Sequence, residues 1–217
     1  MAVVAEEVER LVGEQGRSRE PMVYVDVGCD HAGLPLTLLH RGALSRAIAV
    51  DVHEAPCVLA RENARKLGLD LDVRLSDGLE RVHGWVDVVS ICGMGSGTAV
   101  GVLDAARARI GAAIVQPNDT GETVRRWAAH VGWSVARERG CWDAGRYYGV
   151  LVVVPAVAPD APDALELAWG VRAQRDVDAL GARLAAEIQR LEALGKPATL
   201  ARLAEQHLAH ARRAHPP

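Results

Sequence analysis

The chain has 217 residues, 25 Lys/Arg against 28 Asp/Glu for a formal charge of −3, and 49% hydrophobic residues. That balance excludes a collagen-like, disordered or strongly basic protein and supplies apolar material for a substantial core. The longest apolar runs are strand-sized and stop at charges or glycines, so no membrane span is expected.

The first segment, MAVVAEEVERLVGEQ, reads as an acidic amphipathic helix rather than a signal peptide, and a cytoplasmic location is the expectation that follows. From Val23 to Pro155 two patterns alternate. Runs rich in β-branched residues (MVYVDV, RAIAVDV, LDVRL, VDVVSIC, AAIVQP, WSVARE and YYGVLVVV) read as strands. Between them lie segments of helical period at His53–Leu67, Thr98–Arg109 and Thr120–Val131, while Pro35 suits the first turn of a helix and Gly68 the position just past the end of one. Alternation at this spacing implies βαβ units and a parallel sheet. No helix-length segment separates the last two strands, which should pair antiparallel at the edge. The expected fold is α/β, a doubly wound, mostly parallel sheet of seven strands.

Pro155, Pro159 and Pro162 then break the pattern. Beyond them Val177, Leu180, Leu184, Ile188, Leu191 and Leu194 recur at spacings of three and four; Gly195 stops that helix and Pro197 starts another through Leu200, Leu203 and Leu208. An antiparallel helical hairpin is expected there. The organisation read from the sequence is thus a main domain over 1–157, a linker over 158–170 and a hairpin over 171–217. Residues 172–217 hold eight Lys/Arg and five Asp/Glu, leaving 17 and 23 for the rest, so a mildly basic tail follows an acidic body. A nucleic-acid partner fits that division, as does a solvated helix surface.

The cysteines Cys29, Cys57, Cys92 and Cys141 lie far apart with no C-x-x-C pair, which points to buried or site-lining thiols rather than a disulfide framework or zinc knuckle. His207, His210 and His215 have no acidic or thiol companions, so no metal site is expected.

Ligands of doubly wound sheets bind beyond the carboxyl ends of the strands. After the first strand comes Asp26-Val27-Gly28-Cys29-Asp30-His31-Ala32-Gly33. A pyrophosphate favours G-x-G-x-x-G with few anions nearby. This loop has one early glycine and flanking carboxylates, which suits a zwitterionic amino-acid tail and a sulfonium cation; a tight turn with Asp30 as helix cap is the plainer reading. Asp51, 25 residues after Asp26 at the end of the second strand, can accept from the ribose hydroxyls of an adenosine, or cap the helix at His53-Glu54. Ser76-Asp77-Gly78 forms a turn whose carboxylate could face an adenine amino group. Ile91-Cys92-Gly93-Met94-Gly95-Ser96-Gly97 is a small, glycine-dense loop that leaves room for an in-line methyl transfer, or is simply a helix N-terminus. Four such loops on four successive strands point to S-adenosylmethionine. The residues expected at the cofactor are Asp26, Gly28, Cys29, Asp30, Asp51, Val52, Asp77, Gly78, Cys92, Gly93 and Met94.

The elements VDVGCDHAGLP, AVDV, SDGL, ICGMGSG and VQPN together resemble the bacterial tRNA (adenine-N1)-methyltransferases that modify position 22, whose pattern runs approximately DIGSDHAYLP, GE, GDGL, IAGMGG and LQPN. The likeness covers Tyr24 to Val154, and the hairpin suits that family's coiled-coil appendage. It implies tRNA as partner and N1 of adenosine as methyl acceptor. Three departures stand out: Gly33 replaces an aromatic residue, which should widen the pocket mouth; Asp51 replaces glutamate; and the SKRL-like N-terminal segment is reduced to Glu9-Arg10-Leu11. N1 of neutral adenine attacks without a base, so the protein must align the base and stabilise the positive charge that develops. Asp30, matching the family's DH pair, is the expected charge-stabilising acid; His31 orients it, contacts substrate or is a buried structural histidine, Asn118 bonds the adenine edge or belongs to a turn, and Tyr148 stacks on a base or simply packs. The other readings left open are a methyltransferase of the same fold for another RNA or a small molecule, a non-catalytic RNA-binding module, and an NAD-linked oxidoreductase. The oligomeric state is not readable.

Overall fold

The computed structural model describes residues 1–14, 22–143, 146–156, 162 and 164–170. The hairpin expected over 171–217, with His207, His210 and His215, lies outside the described residues, as does most of the stretch between Val157 and Asp163.

The described residues form α1 (Ala2–Glu14), β1 (Tyr24–Val27), α2 (Gly33–His40), β2 (Ile48–Asp51), α3 (Glu54–Leu67), β3 (Asp72–Leu75), β4 (Val86–Met94), α4 (Ser96–Ala106), β5 (Ile110–Pro117), α5 (Glu122–His130), β6 (Ser134–Asp143), β7 (Arg146–Val154) and α6 (Ala164–Trp169). The seven strands make one sheet in the order β3-β2-β1-β4-β5-β7-β6. β1 to β5 pair parallel, and β7 enters antiparallel between β5 and β6, so the sheet is mixed. The reversal of winding between β1 and β4 opens the crevice at which ligands of this architecture bind.

Strands with helices on both faces must be apolar on both sides, which is why their sequences read as unbroken runs. On one face Val25, Val27, Val89, Ile91, Val115 and Leu151 pack with Leu103 of α4 and Val124 and Trp127 of α5. On the other, Tyr24, Val88, Ile114 and Val152 meet Val4, Val8 and Leu11 of α1 and Leu34 and Leu38 of α2. Each buried aliphatic side chain contributes roughly 1.5–3 kcal/mol of transfer free energy. Helix ends follow local chemistry: Gly68 closes α3 at φ 64°, with Leu69 N–H donating to the carbonyl of Ala64 at 3.0 Å. α4 starts two residues before the expected Thr98 because Ser96 N–H finds a carboxylate cap in Asp119 at 2.9 Å.

Buried charges on the β6 flank are paired. Arg125 of α5 donates to Glu138 of β6 at 2.6 and 3.1 Å, both side chains nearly sealed, and to the carbonyls of Leu167 and Ala168 in the last turn of α6. α6 stands within the stretch expected as linker, and Gly170 follows it at φ 95° against the Glu138 carboxylate. Glu7, buried in α1, accepts from Arg137 and Arg139 of β6, which hold its carboxyl below the usual range against the opposing effect of burial. Among the described residues no helix is long and apolar enough to cross a membrane.

Candidate active site

The loop after β1 is wound tightly under the end of β2. Gly28 N–H and Cys29 N–H both donate to the carbonyl of Val50, at 2.9 and 3.1 Å. Gly28 adopts φ 73°, and a Cβ there would meet Met94 Cε at 3.0 Å, so glycine serves both the turn and a close approach. Asp30 and Ala32 also take left-handed conformations, φ 49° and 60°, unusual for residues with a side chain and a form of strain that collects at functional sites. Asp30 does not cap α2: Ala32 stands at the cap position and no side chain bonds there. The Asp30 carboxylate instead projects outward, 2.9 Å from His31 Nδ1, with both side chains largely exposed.

Asp51 receives this loop. Its carboxylate accepts from Asp30 N–H at 3.3 Å and His53 N–H at 3.0 Å, joining the β1 and β2 loops through one side chain. Val52 beside it is exposed, an apolar surface open for a planar ring. Ser76 N–H donates to the Asp51 carbonyl at 2.8 Å, bringing the β3 loop alongside. Gly78 packs on Val102, while Asp77 is exposed and its side chain makes no hydrogen bond among the described residues.

β4 ends in a bulge between Cys92 and Met94, with Gly93 at φ 75°. Gln116 of β5 and Asn118, just past its end, hold that bulge open. Gln116 accepts from Gly93 N–H at 3.2 Å, and Asn118 Nδ2 donates to the Gly93 carbonyl at 2.5 Å while its backbone N–H donates to Met94. Asp119 bonds both the N–H and the hydroxyl of Ser96 and reaches Gly121 N–H at 2.9 Å. Asn118 therefore shapes the floor of the loop through its amide nitrogen. Cys29 and Cys92 are not reactive thiolates: burial first, then the Asp26 charge, pushes each thiol up to about 12.

Beneath these loops, Asp26 and Ser90 are register neighbours on β1 and β4. Ser90 Oγ donates to Asp26 Oδ1 at 2.5 Å and lies 2.6 Å from the hydroxyl of Tyr24. Burial pushes the Asp26 carboxyl from its ordinary 3.8 to about 7; the hydrogen bond from Ser90 opposes that, and the negative charge of Asp51 adds to it. Among the described residues neither Asp26 nor Asp51 enters a salt bridge. Two neighbouring buried acids without a cation favour a positively charged ligand over a diphosphate.

Residues 24–214 match the sequence profile of a single family, TrmK, tRNA (adenine(22)-N(1))-methyltransferase. The chain belongs to that family. The tRNA (adenine(22)-N(1))-methyltransferase of Bacillus subtilis is 30% identical over 155 residues, which span 69% of this chain and 65% of that protein. A Streptococcus pneumoniae structure solved with S-adenosyl-L-methionine is 28% identical with a TM-score of 0.79, covering 95% of this chain and 97% of its own. The fold is also that of the M. capricolum TrmK structure with S-adenosyl-homocysteine, at TM-score 0.78, 23% identity and 95% and 96% coverage.

Within this family the departures at Gly33 and Glu9 take a definite form. The pocket mouth is not simply widened at Gly33: a Cβ there would lie 2.8 Å from His31 Nε2 and 3.1 Å from Met1 Cε, so the histidine ring and the start of α1 fill the space. Glu9 accepts from Arg41 Nη1 at 3.3 Å. Ser90, Gln116 and Asp119 went unnoticed in the sequence. The one available sign was a lone hydroxyl, Ser90, in the otherwise apolar run VDVVSIC.

Proposed function

We propose that the protein is an S-adenosylmethionine-dependent methyltransferase that methylates N1 of an adenosine, position 22 in the D arm of tRNA, in the cytoplasm. The observation that carries this reading is the pair of acids Asp26 and Asp51, without a salt-bridge partner among the described residues, under the Gly28 and Gly93 loops. When bound, S-adenosylmethionine supplies a methyl group activated by a sulfonium charge. Asp26 would accept from the ammonium of its amino-acid tail beside Gly28 and Cys29, and Asp51 from its ribose hydroxyls. Val52, Asp77 and Gly78 would border its adenine, with Cys92, Gly93 and Met94 beneath the sulfur.

Asp30, strained and pointing outward, would stand where an extruded adenine enters. Its carboxylate would offset the positive charge that develops on the base, and His31, in hydrogen-bond contact, would orient it. Asn118 sets the shape of the Gly93 loop and would stand beside the base edge. Residues 171–217, mildly basic, would contribute to tRNA contact.

The test is methyl transfer from labelled S-adenosylmethionine to unmodified tRNA transcripts, followed by nucleoside analysis. We expect N1-methyladenosine in the D arm, and in Asp30→Ala a kcat lower by about 100-fold with cofactor affinity changed less than about threefold. Cofactor binding with no tRNA methylated would overturn the tRNA assignment.

A further inference from the structure

Tyr24, Ser90 and Asp26 lie on one face of two paired strands, because side chains alternate along a strand and Asp26 stands opposite Ser90. Tyr24 and Ser90 are wholly buried and Asp26 is nearly so. With Asp26 ionised, the Ser90 hydroxyl spends its proton on the carboxylate, so the Tyr24 hydroxyl must donate to Ser90. The result is a one-way chain of donors ending on Oδ1, each bond polarising the next. Oδ2 accepts from nothing among the described residues.

Among the described residues Ser90 supplies the side-chain hydrogen bond that favours an ionised Asp26, and burial and Asp51 oppose it. β2 contributes the carboxylate of Asp51, and the β1 loop and β4 contribute the neutral thiols of Cys29 and Cys92. α2 faces this layer with Leu34 and Leu38. The amino group of Met1, at the start of α1, is felt by Cys92.

We propose that Tyr24 and Ser90 are positioning residues for the cofactor's ammonium site, acting through Asp26 to fix its carboxylate and to set the pH at which it becomes able to bind a cation. This rests on the cofactor reading above. In the ligand-free protein the carboxyl holds a proton at pH below its upward-displaced midpoint of about 7. Arrival of an ammonium group beside it expels that proton to solvent, and the carboxylate then pairs with the cation. A hydrogen bond to the charged form favours that form, so losing Ser90 makes the proton harder to expel.

The experiment follows the Asp26 carboxyl carbon by NMR against pH in the ligand-free full-length chain. Calorimetric binding of S-adenosylmethionine runs in parallel from about pH 5.5 to about pH 8.5, bracketing the displaced carboxyl. Wild type is compared with Ser90→Ala, Ser90→Thr and Tyr24→Phe. Ser90→Ala should move the Asp26 midpoint up by about one pH unit and weaken binding about tenfold near pH 6.5, with less than about threefold loss near pH 8.5. Ser90→Thr, which keeps the hydroxyl, should restore the wild-type profile. Tyr24→Phe should act in the same direction by about threefold, since it removes only the second bond of the chain. An unmoved midpoint, or an equal loss of affinity at every pH, overturns the inference while leaving the cofactor reading intact. A wild-type protein that binds no S-adenosylmethionine at any pH overturns both.

Discussion

Two regions of the molecule bury charge, and they do it in opposite ways. On the β6 flank Glu7, Arg125, Arg137, Glu138 and Arg139 are joined across α1, α5 and β6 in ion pairs. At the ends of β1 and β2, Asp26 and Asp51 are comparably buried and enter no salt bridge among the described residues. A buried ion pair closes its own account of charge and holds helices to a sheet. A buried acid left with hydroxyl and amide donors alone leaves a partner to be supplied from outside, and that difference separates the scaffold from the cleft.

The comparison is broken most forcefully at Arg125. Arg125→Met leaves Glu138 charged and sealed and removes the donors to the carbonyls of α6, so unfolding in urea should show a loss of about 3–5 kcal/mol. The double variant Arg125→Met/Glu138→Leu should recover most of it. A mild single variant would mean that the pair is not the scaffold element described here.

Asp26→Asn tests the other region, and there the sign is reversed. The folded state holds the Asp26 proton more tightly than the unfolded chain does, its carboxyl standing at about 7 against an ordinary 3.8. Ligand-free stability contributed by this group is therefore greatest at low pH, falls as pH rises between those two values and is flat above the upper one. Asp26→Asn removes that slope. It should be more stable than wild type at pH 8 by a few kcal/mol, at about 1.4 kcal/mol per unit, with the difference vanishing near pH 4, and it should lose affinity for S-adenosylmethionine. Thermal unfolding across pH checks the first effect and calorimetry the second.

The smallest effect is at Gly28. Gly28→Ala and Gly68→Ala both place a side chain at positive φ, 73° and 64°, and each should cost about 1 kcal/mol. Only at position 28 does the new methyl meet another loop, at Met94 Cε, whereas at 68 nothing lies within 4 Å. Gly28→Ala alone should weaken cofactor binding, severalfold in equilibrium titration.

Much of this was legible in the sequence because local patterns report local structure. The apolar runs around Val25, Val50, Val89 and Val115 mark four of the seven strands, and the polar residues near their ends mark Asp26, Asp51 and the glycines of the two turning loops. What stayed hidden depends on which strands become neighbours. Ser90 reaches Asp26 across 64 residues of chain, and only the placement of β4 beside β1 makes a plain serine in an apolar run into a donor for a buried acid. Asp119 and Gln116 are hidden in the same way, since their partners lie one strand away on the β4 loop. Gly33 misled for a different reason. Absence of a side chain reads as empty space in a sequence, yet the ring of His31 two residues earlier folds back over it.

The strand order also bears on how the chain emerges from the ribosome. β6 pairs with β7, and β7 must slip between β5 and β6, so neither β6 nor β7 is docked until residues near Val154 have been synthesised. β1 to β5, with both acids of the cleft, are complete by Pro117. The first helix, by contrast, is made with a glutamate whose arginine lies 130 residues downstream. The cleft can thus take shape early in translation, while the buried glutamate of the helix made first waits for β6.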